Sequence, residues 1–420
     1  MMGLWLLVPE LQRLQVWDLL CGWTGTSGEQ IDPRVSLQLL NEAALCIRST
    51  RKSRTFNLRG FELASGLPYI ATDQAIHGLL EPQRMAQTQN LQVALGQIRR
   101  ASGHFQGRVL ALDPHRMPSY SKRRMVLKRP GPQAKARKVS QCFFCLDAAT
   151  SQPVCCTLGS SSRTATTAAI ELMDISQKVL NTAPGSCLVM GDSEHFTTEL
   201  VSYVHNQTPY DLLVPIPSRP CYNKIHEQLS EEDFTTQWAG FATATTPFSF
   251  QESPQEQFFC FTQRIGERPG DYDYRSFLCT RSINEVKALT EDYPGRWNVE
   301  EFFNFYQDIG WKRAGTMNLN IRYADMTMAL IAQAATYQLR NRVGEKISKW
   351  NSMHLARNLF QGLDGDLRVK DDTVVVTLYN ADRFDLPESE FTHMPQRLEN
   401  EGVDPRVPWL YNFKVDFRFR

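Results

Sequence analysis

Three acidic residues occupy positions from which their side chains could hold divalent cations. Asp113 follows the apolar run VLAL, which predicts a short strand, and Asp192 follows another such run, CLVM, after one glycine. Glu300 lies in RWNVEEFFNFY, where the spacing of apolar residues predicts a helix. A sheet and a neighbouring helix can bring such carboxylates together, and acidic oxygens suit Mg²⁺ or Mn²⁺. Two ions about 3.5 to 4 Å apart stabilise the attacking and leaving oxygens of phosphoryl transfer, which is the chemistry that these residues permit.

Each acid also has a purely structural interpretation. Asp113 precedes Pro114 and could open a turn, while Asp192 could cap the helix that follows it. Glu300 is one of two adjacent acids, with Glu301, on an otherwise aromatic-rich segment. Taken singly, these structural roles are the commoner ones, so a shared site depends on the order and surroundings of the three acids.

A cationic segment follows the first of these acids. Between Pro114 and Leu146 the chain has no acid and nine basic residues, which are Arg116, Lys122, Arg123, Arg124, Lys128, Arg129, Lys135, Arg137 and Lys138. Such a segment, which also carries Tyr120, predicts a surface that follows nucleic-acid phosphates with salt-dependent, sequence-independent affinity. The alternative is a solvated loop.

The elements that would position these residues follow from the periodicity of the chain. Apolar residues three and four apart predict helices from Leu4 to about Gly103. Beyond them, the order strand, hairpin, helix, strand, helix, strand predicts a mixed sheet with flanking helices. The predicted parts are an N-terminal helical lobe that could bind DNA ends (1–105), the first part of a core (106–217), a β-rich insertion (218–283), a helical second part of that core (284–344) and a small α+β region (345–420).

One stretch of the helical lobe has the outline of a helix-turn-helix. Residues 55–80, TFNLRGFELASGLPYIATDQAIHGLL, could form a helix, a glycine-containing turn and a second helix capped by Thr72 or Asp73. A short helical hairpin without DNA contacts is the commoner alternative.

Composition gives few further constraints. Lys and Arg number 46 against 45 Asp and Glu, so electrostatic recognition must come from local clustering. The ten cysteines lie mostly in apolar, strand-like runs, which favours reduced thiols and a cytoplasmic location. No stretch reaches eighteen uncharged apolar residues, so we expect no membrane span.

Four cysteines and one histidine could belong to metal sites. Cys142, Cys145, Cys155 and Cys156 have the count for a zinc site, but neighbours in a strand point to opposite faces, which favours buried thiols instead. His195, three residues after Asp192, could contact DNA or lie near metal ions. A polar residue at the start of a helix is the simpler interpretation of this histidine.

Three segments resemble the acidic signatures of DDE transposases of bacterial insertion sequences, the insertion-sequence-four-like group. They are LALD, then GDSEHF followed by YDLLVPIP, then YPGRWNVEEFF, within roughly residues 108–340. The most specific part is Tyr293, Arg296 and Glu300, which match the tyrosine, arginine, glutamate pattern of the group, with Trp297 beside the arginine. The resemblance implies an α/β fold with a ribonuclease-H-like mixed sheet flanked by helices, and a β insertion between the second aspartate and the glutamate.

The resemblance also implies an activity, a cofactor and partners. The implied enzyme is a Mg²⁺-dependent DNA transposase, with Mn²⁺ as a substitute, that cuts DNA at element ends and transfers the strand. Asp113, Asp192 and Glu300 would be the ligands of two ions. Its partners would be transposon ends and target DNA, bound by a homodimer, in the cytoplasm and on the nucleoid when DNA is bound.

Further residues are expected to contact DNA. Within the resemblance, Arg296 would neutralise a phosphate, Tyr293 would contact the backbone near the cut, and Trp297 could stack on a displaced base, with core packing as the alternative. Together with the cationic segment, the predicted DNA contacts are Tyr293, Arg296, Trp297, Lys122, Arg123, Arg124, Lys128 and Arg129.

Two positions depart from the family pattern. A lysine is expected seven residues after the glutamate, where this chain has Gln307, and the nearest lysine is Lys312. The second aspartate is often followed by arginine, but Ser193 follows it here. Two alternatives therefore stay open: a catalytically impaired, transposase-derived DNA-binding protein, and a ribonuclease-H-like nuclease without strand transfer.

Overall fold

The fold is described from a computed structural model of the chain. It covers residues 1–26, 30–47, 59–119, 122, 124–129, 134–311, 316, 318–384 and 386–420, without the side chains at 59, 220, 221, 223 and 224. These residues form two compact units, one from Met1–Ser102 with Phe302–Arg420, the other from Gly103–Glu301.

Helices occur in both units. In chain order the α-helices are α1 (Val8–Arg13), α2 (Val16–Thr24), α3 (Asp32–Ala44), α4 (Arg59–Ala64), α5 (Asp73–Leu80), α6 (Met85–Ala101), α7 (Ala165–Leu180), α8 (Thr198–Gln207), α9 (Pro220–Glu227), α10 (Glu285–Lys287), α11 (Asn298–Tyr306), α12 (Leu319–Arg340), α13 (Glu345–Ser348), α14 (Ser352–His354), α15 (Glu388–Phe391) and α16 (Met394–Asn400). Short 3₁₀ helices are Met2–Leu7, Ser193–His195, Glu231–Asp233, Pro294–Trp297, Gln307–Ile309, Ala381–Phe384 and Pro408–Leu410, and π-helical turns are Ala288–Asp292 and Leu355–Phe360.

Strands form one sheet in each unit. They are β1 (Val109–Pro118), β2 (Leu127–Lys128), β3 (Arg137–Asp147), β4 (Gln152–Ser160), β5 (Leu188–Met190), β6 (Asp211–Pro215), β7 (Thr235–Trp238), β8 (Phe241–Phe250), β9 (Ser253–Ile265), β10 (Asp273–Cys279), β11 (Asp364–Lys370), β12 (Thr373–Tyr379), β13 (Arg406–Val407) and β14 (Phe413–Phe419).

The sheet of the 103–301 unit is mixed. Its order is β2-β3-β1-β5-β6-β10-β9-β8-β7, with β4 also paired to β3. Strands β1, β5 and β6 run parallel, and the other pairings are antiparallel. The predicted mixed α/β class is therefore confirmed.

The predicted hairpin of residues 139–159 forms as β3 and β4, and a buried aspartate holds its turn. The Asp147 carboxylate accepts backbone N–H groups of Gln106 at 2.8 Å, Gly107 at 2.6 Å, Ala149 at 3.1 Å and Thr150 at 3.0 Å. Since Asp147 is fully buried, these bonds replace water for both partners. They also attach the start of β1 to the end of β3.

Helices cover the sheet where parallel strands require crossovers. Between β4 and β5 the chain forms α7, which packs on β3 and β4, and between β5 and β6 it forms α8, which packs on β6 and α7. Thr164 caps α7 by accepting from the Thr167 N–H at 3.2 Å, and Thr197 caps α8 by accepting from the Leu200 N–H at 3.3 Å. The helices predicted at these places are confirmed.

The interval 218–283, predicted as a β-rich insertion, contains β7 to β10 together with α9. These strands continue the same sheet, because β10 pairs antiparallel with β6 from Phe277 opposite Pro215 to Cys279 opposite Leu213. In the described residues, the interval thus extends the predicted core as one hydrogen-bonded sheet.

The other unit is built around α12. Most of its residues are buried, which is typical of a helix surrounded by protein. It packs against α3 and α6, with hydrogen bonds from Gln92 Nε2 to Thr327 Oγ1 at 3.0 Å and from Arg99 to Gln333 Oε1 at 3.4 Å. Residues 1–102 and the predicted C-terminal region 345–420 thus belong to one compact unit with α12, whereas the sequence treats them as separate parts.

A small sheet completes this unit. Its order is β11-β12-β14-β13, with β12 and β14 parallel, and α15 and α16 pack on β14. Strands β11 and β12 form an antiparallel hairpin within the region 345–420, which the sequence predicts as a small α+β region. Trp409 is buried and donates its indole N–H to Ala64 O at 3.0 Å, which connects this region to α4.

The predicted helix-turn-helix lies partly outside the described residues, since 48–58 are not covered. Its described part consists of α4, a left-handed Gly66 and α5, and Thr72 Oγ1 accepts from the Ala75 N–H at 3.2 Å, as a cap there predicts. DNA binding by these helices stays a prediction.

Two further findings concern membranes and thiols. No helix within the described ranges is long and apolar enough to span a bilayer. The nine cysteines whose side chains are described are free thiols. Cys145 and Cys155 lie opposite each other in β3 and β4, buried, as expected for strand cysteines.

Candidate active site

The register of two parallel strands brings Asp113 and Asp192 to equivalent positions. Strands β1 and β5 pair in parallel from Val109 opposite Leu188 to Ala111 opposite Met190. Both aspartates lie two residues beyond that last pair. Because side chains alternate between the two faces of a sheet, this spacing assigns both to the same face. The sequence places Asp113 at the end of its strand, which is wrong, because β1 continues to Pro118 through antiparallel pairing with β3. Only the parallel pairing of β1 with β5 ends just before Asp113.

The same face of the sheet holds the segment that leads to Glu300. Leu188 and Met190 belong to a buried cluster with Ala288 and Leu289, and Tyr293 packs at its margin. Asn298, at the start of α11, donates its side-chain N–H to Ala148 O at 2.8 Å and so attaches the helix to the β3–β4 turn. Glu300 is exposed in the first turn of this helix, and the helix predicted there is confirmed.

Asp192 caps a helical turn, which is the structural role that the sequence allows, and it also lies among the other predicted acids. Its Oδ1 caps the turn Ser193–His195 by accepting the Glu194 N–H at 3.0 Å, and the same oxygen lies 2.8 Å from His195 Nδ1. Burial acts to raise the pKa of Asp192, but the hydrogen bond and charge of His195 and the Glu194 N–H lower the pKa below its usual value. Asp192 is thus both a cap and an ionised member of the acidic group.

Asp113 has the opposite electrostatic balance. Burial and then the neighbouring Asp192 raise its pKa to about 7, with a further contribution from Glu300. Arg296 and His195 act in the other direction, and Arg296 Nη1 lies 3.5 Å from Asp113 Oδ1. Asp192 and Glu300 therefore lie close enough to Asp113 to affect its ionisation, and Arg296 and His195 lie beside it.

Arg296 lies at the centre of the tyrosine, arginine, glutamate segment. It is buried, its guanidinium carbon is 5.7 Å from the Tyr293 ring centroid and 5.6 Å from that of Trp297, and its Nε–H has no hydrogen-bond partner among the described residues. Trp297 is 56% exposed, which excludes core packing as its role. The Tyr293 ring packs against Phe277 at 4.8 Å between centroids.

The acids suit a divalent cation by their chemistry. They are three carboxylates, and a bound cation would offset both the burial and the repulsion by Asp192 and Glu300 that raise the pKa of Asp113. Arg296 pairs with Asp113 and His195 is hydrogen-bonded to Asp192, and no group of three or more acidic, histidine or cysteine side chains in the described part of the chain is arranged as a metal site. The donor types fit the expected ions, and their role as ligands stays a prediction.

The cationic segment lies along the edge of the sheet at β2 and the start of β3. Lys122, Arg124 and Arg129 are exposed. Lys128 is half-buried and donates a hydrogen bond to Arg163 O at 3.0 Å, so one of its donors stabilises the fold and is not available to DNA. Arg116 pairs with Glu194, next to Asp192. The predicted contacts of Arg123 and Tyr120, and the substitute lysine Lys312, lie outside the described residues.

The sequence does not predict one contributor to the site, Asn298, and it leaves the role of another, His195, open between two interpretations. Asn298 begins a helix, a place where asparagine commonly caps, yet it bonds a turn 150 residues away. The simpler interpretation of His195, a polar residue at the start of a helix, leaves out that it is 2% exposed and lies against Asp192. Its spacing of three residues from Asp192 is the available signal, because a single turn places such residues side by side.

Comparisons with known proteins give a distant likeness to a solved structure. No family model matches the chain, and no curated protein sequence matches it. Among solved structures, it is similar to a piggyBac transposase seen by cryo-electron microscopy in a synaptic complex with hairpin DNA, with a TM-score of 0.44 and 10% identity, over 85% of this chain and 79% of that one. A likeness this distant assigns no activity.

Proposed function

We propose that this protein is a DDE transposase that cuts DNA at the ends of its element and joins the freed strand to a target. The observation that carries the proposal is the equivalent position of Asp113 and Asp192 beyond the parallel pairing of β1 and β5, with Glu300 and Arg296 in electrostatic reach. The tyrosine, arginine, glutamate spacing of the sequence supports the insertion-sequence-four-like group.

The sheet order supports the ribonuclease-H-like core that this group implies. A meander of antiparallel strands, β4, β3 and β1, is followed by two strands parallel to β1 with helices in the connections. Asp113 and Asp192 would then lie where the parallel pairing of β1 and β5 ends, on the carboxyl side of the last paired residues. Ligands bind open α/β sheets at this position.

Asp113, Asp192 and Glu300 would hold two Mg²⁺ ions, or Mn²⁺ in their place. When bound, such ions lower the pKa of water and stabilise the charge that develops on the attacking and leaving oxygens. Asp192 is held ionised and oriented by His195 and the Glu194 N–H. Asp113 is the acid whose charge is least stable without a cation, since both burial and Asp192 oppose its ionisation.

The remaining residues would bind and orient DNA. Arg296 has an unpaired Nε–H and a contact with Asp113, so a phosphate beside the acids could receive its free donor. Exposed Trp297 offers a face on which a displaced base could stack. Lys122, Arg124 and Arg129 would follow the phosphates of the flanking duplex. A homodimer on DNA, pairing two ends, is part of the proposal.

The test is Asp192→Asn in the full chain, with a duplex that carries the sequences flanking its reading frame. We expect Mg²⁺-dependent nicking to fall by about three orders of magnitude or more, since a ligand carboxylate is removed, while DNA binding is retained. Asp273→Asn, at an exposed carboxylate in β10, is the matched control and should nick normally.

Each result has a distinct meaning. An Asp192→Asn protein that still nicks DNA would exclude the DDE assignment. Wild-type protein that binds the duplex without nicking it would favour the catalytically impaired alternative, for which Gln307 is the supporting departure. Nicked products that are never joined to a target would favour a nuclease.

A further inference from the structure

His195 has an environment that a surface turn does not require. It ends the turn Ser193–His195, which packs on α7 and β6, and its side chain is 2% exposed. Its Nδ1 lies 2.8 Å from Asp192 Oδ1. Because an ionised carboxylate only accepts hydrogen bonds, this nitrogen must carry the hydrogen and donate it.

Gly191 makes the space that the imidazole ring occupies. A Cβ added at Gly191 would lie 2.6 Å from Cγ of His195 and 2.8 Å from its Nδ1. These atoms are close to the backbone of His195, so a small rotation of the ring would not relieve the overlap. With a Cβ at Gly191, the ring would have to leave its position over that residue. The backbone of Gly191 is not in the left-handed region, so space and not conformation makes glycine necessary here.

Asp192 receives two hydrogen bonds, and both end on the same carboxylate oxygen. Oδ1 receives the Glu194 N–H at 3.0 Å and the His195 Nδ1–H at 2.8 Å, while Oδ2 receives no hydrogen bond from the described residues. A carboxylate held through one oxygen keeps a fixed rotamer and leaves the second oxygen for another partner. Donors of this kind orient metal-binding carboxylates in proteins, and their removal typically costs 10- to 100-fold in metal affinity or activity.

We propose that His195 is a positioning residue: seated over Gly191, it donates a hydrogen bond to Asp192 Oδ1 and so keeps Asp192 Oδ2 directed to a divalent cation. The inference rests on the proposed function, because it requires Asp192 to be a metal ligand. It adds a residue pair, Gly191 and His195, to which the three-acid site gives no role.

The experiment measures Mn²⁺ binding by the full chain, from the electron paramagnetic resonance signal of free Mn²⁺. His195→Phe keeps a ring over Gly191 but removes the donor, and we expect Mn²⁺ to bind about 10- to 100-fold more weakly. His195→Asn places an amide N–H near the position of Nδ1 and should recover most of that affinity. His205→Phe, at an exposed histidine of α8, is the matched control and should bind as wild type does.

Gly191→Ala tests the ring position independently. It leaves the imidazole in the chain but displaces it, so it should weaken Mn²⁺ binding as His195→Phe does. The double variant Gly191→Ala with His195→Phe should be no weaker than His195→Phe alone, since the same hydrogen bond cannot be removed twice. The Mn²⁺-induced rise in melting temperature gives a second measure of affinity, and melting without Mn²⁺ shows that each variant is folded.

Three outcomes would overturn the proposal: folded His195→Phe that binds Mn²⁺ as wild type does, His195→Asn as weak as His195→Phe, or additive effects in the double variant. The failure of the proposed function looks different, because wild type and Asp192→Asn would then bind Mn²⁺ equally.

Discussion

At the scale of single residues, hydrogen bonds distinguish Asp192, which is proposed to be catalytic, from Asp147, which is structural. Among the described residues, Asp192 accepts hydrogen bonds through one oxygen only, whereas both oxygens of Asp147 accept from backbone N–H groups. A carboxylate saturated in this way has no capacity for a ligand. Both residues follow apolar runs in the sequence, so the pattern of neighbours alone does not distinguish them.

Asp147→Asn should destabilise the 103–301 unit. The amide has the same shape but only one accepting oxygen, so two of the four backbone N–H groups are left without a partner in a buried site. We expect the free energy of unfolding to fall by about 2 to 5 kcal/mol, measured by urea denaturation.

Thr150→Val is the control for Asp147→Asn, since it removes a single hydroxyl donor at 3.1 Å and should cost about 1 kcal/mol. Equal destabilisation in the two variants would show that the buried N–H groups find other partners.

At the scale of elements, close backbone approaches restrict which residues the turns accept. Gly66, after α4, has φ +67° and lies so close to Trp409 that an added Cβ would be 2.4 Å from its carbonyl oxygen. Gly25, after α2, has nearly the same φ of +66° and open space around it. The pair separates the cost of the left-handed conformation from the cost of a steric overlap.

Gly25→Ala should therefore cost about 1 to 2 kcal/mol, for the left-handed backbone alone. Gly66→Ala should cost about 1 to 3 kcal/mol more, because the Trp409 carbonyl has to move. Chemical denaturation of the full chain measures both, and similar values would show that the overlap at Trp409 relaxes freely.

The strand edge that carries the cationic segment gives a second prediction for the elements. Replacing the exposed Lys122, Arg124 and Arg129 by serine should make the dependence of log K on log salt concentration less steep, by about 0.9 for each DNA phosphate that is no longer neutralised. Fluorescence anisotropy with a DNA duplex over a range of salt concentrations measures this slope.

Arg268→Ser with Arg275→Ser, at exposed cations of the same unit, is the control for the salt dependence and should leave the slope unchanged. The same reduction in both variants would mean that the cationic segment attracts DNA only through overall charge.

At the scale of the whole molecule, the order of the chain does not follow the order of its units. The 103–301 unit is continuous, but the other unit joins residues 1–102 to 302–420. Glu10 in α1 illustrates the consequence, since it is fully buried and pairs with Arg13 at 3.0 Å and Arg342 at 3.1 Å. An N-terminal fragment would lack Arg342 and the α12 surface on which α3 and α6 pack.

Fragments test this division. Residues 103–301 expressed alone should unfold cooperatively on heating, because their sheet and its covering helices are contained in the fragment. Residues 1–105 alone should show no cooperative transition by circular dichroism, because buried faces of α3 and α6 would be exposed to water. A folded 1–105 fragment would support the independent lobe that the sequence predicts.

Local sequence patterns are sufficient to predict the individual elements and the candidate acids. Apolar periodicity and capping residues act over a few positions, so the β3–β4 hairpin, α7, α8 and the helix at Glu300 are predictable. Which distant segments share a sheet or a core depends on tertiary contacts. The pairing of β10 with β6, the joining of both chain ends around α12, and the hydrogen bond of Asn298 to Ala148 all connect residues far apart in sequence. The same is true of Asp113, whose raised pKa arises from burial and from neighbours 79 or more positions away, information that no local pattern contains.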